Sequence, residues 1–202
     1  AAIESGAFAS EITPVEVAQR GGTVTIDTDE QPMKARFDKI PQLRPAFKKD
    51  GTVTAANASS ISDGAAAVVL MRQSEAIKRG LTPLARIVAH TSHAQEPSEF
   101  TMAPIGAIGS LMAKTGWEKD SVDLFEINEA FAVVPMAAIE SLGLDAAKVN
   151  VNGGACALGH PIGCSGTRIV VTLLAGLANH GKRRGVASLC IGGGEATALA
   201  VE

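Results

Sequence analysis

"VDLFEINEAFAVVPMAAIESLG", residues 122–143, decides the fold. Its first part, "VDLFEI", is an apolar run of strand length. Its second, "EAFAVVPMAAIESLG", is long enough for a helix, and Gly143 stands where such a helix closes. A strand feeding directly into a helix is the repeating unit of α/β proteins, and the unit recurs on both sides. Upstream, "LARIVAHTSHA" (84–94) reads as strand and "PIGAIGSLMAKTGW" (104–117) as helix. Downstream, "KVNVNGG" (148–154) reads as strand and "SGTRIVVTLLAGLANHG" (165–181) as helix. "GVASLCIGGGEATALAVE" (185–202) reads as two antiparallel strands around a triple-glycine turn. The order βαβαβαββ predicts an α/β layered fold with a mostly parallel five-stranded sheet.

The first eighty residues are different. Residues 1–50 are irregular, with "GGTVTIDTDEQP" and several prolines, and only short elements are expected there. "AAIESGAFASEI" reads as the end of a helix already under way, so the sequence is expected to be one piece of a longer protein. From "GTVTAANASSISDG" (51–64) small and polar residues lead into "AAAVVLM" (65–71), a buried-strand candidate. "SEAIKRG" (74–80) is a short helix closed by Gly80.

The bulk composition narrows the function. Of 202 residues, 46% are hydrophobic and 19% charged, a folded composition. Aromatics make up only 3%, so the core must be built from small aliphatic side chains. A net charge of -3 argues against a general nucleic-acid binder. No apolar run reaches membrane-spanning length, and nothing at the start reads as a signal peptide. Three cysteines, an odd number, fit a reducing compartment. A bacterial cytoplasm is expected, with the mitochondrial matrix or the peroxisome as alternatives. The Cys and His spacings match no metal pattern, so no metal is expected.

Sites in such folds gather at strand ends and in the loops that follow. Three motifs sit there. Asn128 opens "NEAFA" after "LFEI"; it is either a helix N-cap or a site residue. His160 lies in "NGGACALGHPIGCSGTR" (152–168), between a glycine and a proline that restricts it to extended backbone. Glycine lets the main chain approach a ligand closely, and histidine suits acid–base work near neutral pH. Cys190 begins "CIGGG", where backbone N–H groups can stabilise an oxyanion; a buried, inert cysteine before a tight turn is the alternative. Cys156 and Cys164 read as packing residues. Lys34, Arg36, Lys39, Arg44, Lys48 and Lys49 form a basic run, either a solvated face or a landing site for phosphates.

Together, "NEAFA", "GGACALGHPIGCSGTR" and "CIGGGEATA" resemble the C-terminal half of a thiolase, in the family's order and spacing. "GTVTAANASSISDGAAAVVL" resembles the thiolase segment that enters the sheet, so the resemblance covers the whole chain. It implies residues 1–50 as part of the loop domain covering CoA, 51–82 as the end of the N-terminal thiolase half, and 83–202 as the C-terminal domain. It implies reversible formation and thiolytic cleavage of a short-chain 3-ketoacyl-CoA, with acetyl-CoA, CoA and the 3-ketoacyl-CoA as substrates and no separate cofactor. Alternatives are a thiolase for longer chains and a non-catalytic CoA-binding or assembly subunit.

Carried over residue by residue, the resemblance makes Cys190 the acid–base cysteine and His160 the histidine that activates the nucleophile and helps bind the thioester oxygen. Asn128 holds a water in the same oxyanion hole, and the Gly192 N–H lines the other. Ser59 contacts the pantetheine arm, and Phe47 and Phe131 line an apolar pocket. Part of the basic run meets the CoA phosphates. Thiolases carry their acylated cysteine in the N-terminal half, and no cysteine precedes Cys156 here. The chain alone is therefore expected to be inactive. An N-terminal half bearing the nucleophile and a homodimer or homotetramer are the expected partners.

Overall fold

The computed structural model describes residues 1–202. The core is a four-stranded sheet of Ile87–Ala94 (β3), Leu124–Ile127 (β4), Gly185–Ile191 (β5) and Glu195–Val201 (β6), in the order β3-β6-β5-β4. β4 runs parallel to β5, while β6 is antiparallel to both β5 and β3. Three strands thus share one direction, with β6 inserted between two of them. A separate hairpin, Val15–Gln19 (β1) and Gly22–Ile26 (β2), is exposed along both strands.

Helices cover both faces, giving three layers. Ala103–Thr115 (α2) and Val133–Leu142 (α3) lie on one face. Ala103, Ala107, Ile108 and Leu111 of α2 recur at helical spacing and are fully buried there with Phe125, Ile127 and Val186. Ser165–Asn179 (α5) covers the other face, where Ile169, Leu173 and Leu177 pack on Leu124, Ala187 and Val201. Neighbouring residues of β4 therefore face opposite layers, as the pleat requires. Gln73–Lys78 (α1) and Ala155–Leu158 (α4) are short. Gly143 ends α3 in the left-handed conformation (φ 61°), which a side chain would strain.

Four expectations are corrected. The sheet has four strands, not five: "KVNVNGG" contributes only a parallel bridge from Val149 to Phe125, because the chain turns at once through Asn150, at φ 49°. Only one of the three strand pairs is parallel, because β6 hairpins back from β5 into the middle of the sheet. "AAAVVLM" forms no strand; Val69 and Leu70 are exposed, with no neighbouring strand to pair with. The opening residues form turns and no helix, with Gly6 at φ 76°.

Candidate active site

The C-terminal ends of the parallel pair β4 and β5 lie side by side. Ile127 pairs with Ser188, and the Asn128 N–H donates to the Ser188 carbonyl at 2.9 Å. Asn128 thus sits beside the strand end that carries Cys190. Helix α3 begins only at Val133, with Ala132 at its cap position, so Asn128 is not the helix N-cap. Its side chain is buried and committed elsewhere: Nδ2 faces His160 Nε2 at 3.4 Å, and Oδ1 accepts from Arg168 Nη2 at 3.4 Å.

His160 is held from both sides. Its N–H donates to the Ser60 carbonyl at 2.8 Å, making a short bridge with the 58–61 segment. Its Nδ1 lies 2.6 Å from Ser165 Oγ, and the Ser165 hydroxyl donates to the Pro161 carbonyl at 3.1 Å. Gly159 precedes it at φ 93°, with the Ser62 hydroxyl in the space a side chain would need. Burial first, and the Arg168 charge second, hold the imidazole below its usual pKa, which keeps it neutral near pH 7.

Cys190 pairs with Ala196 near the end of β5 and belongs to the α2–α3 core cluster. Burial pushes its thiol above the ordinary range, opposed by its own backbone N–H. Gly192 lies in the exposed turn that follows, and a side chain there would meet open space. Cys156 lies against Glu129, which disfavours its thiolate. Burial and the Glu129 carboxylate push its thiol up to about 12, and its backbone N–H donates to that carboxylate at 3.1 Å.

Ser59 and Phe47 both meet the "NEAFA" segment. Ser59 donates both its N–H (3.1 Å) and its hydroxyl (2.9 Å) to the Ala130 carbonyl, tying the 57–60 loop to "NEAFA". Phe131 packs edge-on against Phe47 at 6.0 Å and Phe100 at 6.2 Å. Phe47 is largely exposed. All six residues of the basic run are exposed, and only Lys34 is paired, to Glu30 at 3.0 Å.

A second layer of polar residues beneath Asn128 was not anticipated. Arg168, from the first turn of α5, reaches Glu126 Oε2 at 3.8 Å and Thr172 Oγ1 at 3.4 Å. The Thr172 hydroxyl donates to Glu11 at 2.8 Å. Burial pushes Glu126 up to about 8 and also raises Glu11; one buried oxygen of each has no hydrogen-bond partner. The signal lay in "LFEI": a carboxylate in an otherwise apolar strand faces the second layer and must be neutralised or paired.

Asn128, at the end of β4, thus faces His160, while Cys190 lies near the end of the adjacent β5. The chain belongs to the thiolase family: its C-terminal-domain model matches residues 81–202, and its N-terminal-domain model residues 1–74. It is 51% identical, over all of its length and 52% of the relative's, to the acetyl-CoA acetyltransferase of Thiocystis violacea. The cytosolic acetyl-CoA acetyltransferase of Mus musculus is 52% identical over 98% of this chain and 51% of its own. The crystal structure of the Bacillus anthracis acetyl-CoA acetyltransferase superposes with a TM-score of 0.95 at 46% identity, covering 100% of this chain and 51% of that one. The chain spans about half the length of the curated relatives it matches. No helix is long and apolar enough to cross a membrane.

Proposed function

We propose that these residues form the proton-moving half of a thiolase site. It would make and cleave short-chain 3-ketoacyl-CoA, joining two acetyl-CoA to give acetoacetyl-CoA and CoA. The observation that supports this reading most is Asn128, at the end of β4, facing His160 at 3.4 Å, with Cys190 near the end of the adjacent β5. The acetyl-CoA acetyltransferase relatives support the short-chain substrate.

The chemistry divides as follows. A cysteine outside these 202 residues passes its proton to His160 Nε2 and attacks the thioester carbon of the first acetyl-CoA. The carbon–sulfur bond to CoA breaks, and the departing CoA thiolate takes the proton of the Cys190 thiol. Burial raises the Cys190 pKa, so the thiol rests protonated with a proton to give, and its thiolate, once formed, is the stronger base. The Cys190 thiolate then removes an α-proton from the second acetyl-CoA. The resulting carbanion attacks the acyl thioester; the new carbon–carbon bond forms, the acyl–cysteine bond breaks, and the departing cysteine thiolate takes its proton back from His160. His160, Asn128 through a bound water, and the Gly192 N–H stabilise the developing oxyanions. Ser59 lies along the pantetheine arm, and Phe47 and Phe131 border it.

Residues 1–50 serve as part of the loop domain over CoA, with the basic run toward its phosphates. Residues 51–82 end the N-terminal half, and 83–202 form the C-terminal domain; the two family matches, which part between 74 and 81, support a boundary between these two near residue 80. We place the protein in the cytoplasm, as a homodimer or homotetramer.

The test is acetoacetyl-CoA cleavage by residues 1–202, alone and with an N-terminal thiolase half bearing the nucleophilic cysteine. Activity is expected only in the second sample. Robust turnover by the first would demand a nucleophile among Cys156, Cys164 and Cys190 and would sink this division of labour.

A further inference from the structure

We propose that Arg168 is a positioning residue: by holding the Asn128 amide in one rotation, it fixes His160 in the tautomer whose Nε2 is bare. A guanidinium only donates hydrogen bonds, so the Asn128 atom facing Arg168 Nη2 at 3.4 Å is the amide oxygen. The amide nitrogen is thereby turned toward His160 Nε2, also at 3.4 Å. That nitrogen only donates as well, so Nε2 must offer a lone pair. In a neutral imidazole the proton then sits on Nδ1 and is donated to Ser165 Oγ at 2.6 Å. Ser165 is free to accept it, because its own hydroxyl is spent on the Pro161 carbonyl at 3.1 Å.

The opposite tautomer breaks this order at two places. An Nε2–H would confront the Asn128 N–H. Ser165 would have to abandon Pro161 to donate to Nδ1. Contacts of 3.4 Å are long, so the control exerted through Asn128 is one of orientation more than of bond strength. Arg168 is itself held in place. It projects from α5, contacts Thr172, whose hydroxyl is anchored on Glu11, and lies 3.8 Å from Glu126. Its charge also opposes protonation of His160, keeping the ring in the neutral state where the choice of tautomer matters.

The consequence for turnover rests on the acyl-transfer reading. A histidine that takes a proton from a thiol needs a bare Nε2 at that moment. Once Nε2 has taken the proton it no longer accepts from the Asn128 N–H, which turns to the bound water and leaves Nε2–H to meet a thioester oxygen. In the other tautomer Nε2 is already occupied and the first transfer fails.

The test reads the tautomer directly. The chain contains four histidines, so ¹⁵N-histidine-labelled protein gives a short set of ring signals. His160 is assigned by the loss of its signals in His160→Gln. Magic-angle-spinning spectra of sedimented chain at neutral pH separate protonated from bare ring nitrogens without requiring a dilute monomer. Wild type should show His160 with a bare Nε2 and a protonated Nδ1. Arg168→Met should lose that pattern and Arg168→Lys should largely keep it, because an ammonium still donates to Oδ1. A protonated Nε2 in wild type, or an unchanged pattern in Arg168→Met, overturns the proposal. If Arg168→Met fails to fold, Asn128→Asp decides: with acceptors at both corners it should move the proton to Nε2, and a bare Nε2 there overturns the proposal.

The enzyme completed with its nucleophile half supplies the second readout. Arg168→Met should lower kcat on the order of 10²-fold or more, with KM for acetyl-CoA nearly unchanged, on a scale where a wrong tautomer costs a serine-protease histidine about 10⁴-fold. A rise in KM with kcat intact would overturn the positioning role. If the acyl-transfer reading itself is wrong, wild type is inactive too, while the spectra still report the tautomer.

Discussion

Replacing Glu126 with glutamine should stabilise the protein, and increasingly so as the pH rises. Glu126 is 3% exposed, and its Oε2 has no hydrogen-bond partner. Its contact with Arg168, 3.8 Å, is too long for a charge-assisted hydrogen bond, so the pair does not offset the loss of water. Burial outweighs Arg168 and pushes the carboxyl from 4.5 up to about 8. The native state then holds a proton that the unfolded chain releases. Stability from this group is fully present below pH 4.5 and lost as the pH rises to about 8. Each pH unit in that window removes about 1.4 kcal/mol, so the whole window removes roughly 5 kcal/mol. By pH 7 about 3 kcal/mol of this is gone. Glutamine keeps the shape, offers an oxygen to Arg168 and does not titrate. The assay is urea unfolding followed by Trp117, the sole tryptophan, at a series of pH values from 5 to 8. The stability difference between Glu126→Gln and wild type should grow toward pH 8. A difference that does not change with pH, or a variant destabilised most at pH 8, would show Glu126 to be an ionised partner of Arg168 and refute the reasoning.

Other perturbations probe the rest of the account. In the completed enzyme, His160→Ala should lower turnover by about 10²–10⁴-fold, with unfolding by circular dichroism little changed; a near-normal rate removes His160 from the mechanism. The acid limb of kcat/KM should fall below pH 6.5, because burial and Arg168 depress the imidazole; a limb above 6.5 contradicts that electrostatic picture. Exchanging Lys48 and Lys49 for glutamine should weaken CoA binding by calorimetry at low salt, with the effect shrinking as salt rises; unchanged affinity makes the run a solvated face. Phe125→Ala, deep in the core at 1% exposure, should cost about 3–5 kcal/mol in urea unfolding, and a loss under about 1 kcal/mol would mean that the core is looser than described.

The layered fold could be read because its signals are local. Strand-length apolar runs, helical spacing and the closing Gly143 each act within a few residues. The errors arose where the outcome depends on distant partners. "AAAVVLM" has strand composition, but a strand needs a neighbour, and none lies beside it. "KVNVNGG" looks like a strand until the turn at Asn150 is known. At the site, residue types and order pointed to Asn128, His160 and Cys190, but not to what holds them. The N-cap alternative for Asn128 fails because the helix starts later. The groups that orient Asn128 come from α5 and from residue 11, far away in sequence. Only Glu126, a carboxylate in an apolar strand, announced that such a layer existed.

Hydrogen exchange at the acetyl methyl group reads whether Cys190 moves the α-proton, as proposed. The enzyme completed with its nucleophile half is incubated with acetyl-CoA in deuterated water, and loss of the methyl proton signal is followed by NMR. Wild type should exchange. Cys190→Ser should not, because a hydroxyl is a far poorer base than a thiolate at neutral pH, yet it should still allow acylation of the nucleophilic cysteine, visible by mass spectrometry. Exchange by Cys190→Ser at the wild-type rate would contradict the account and return Cys190 to the core as a packing residue.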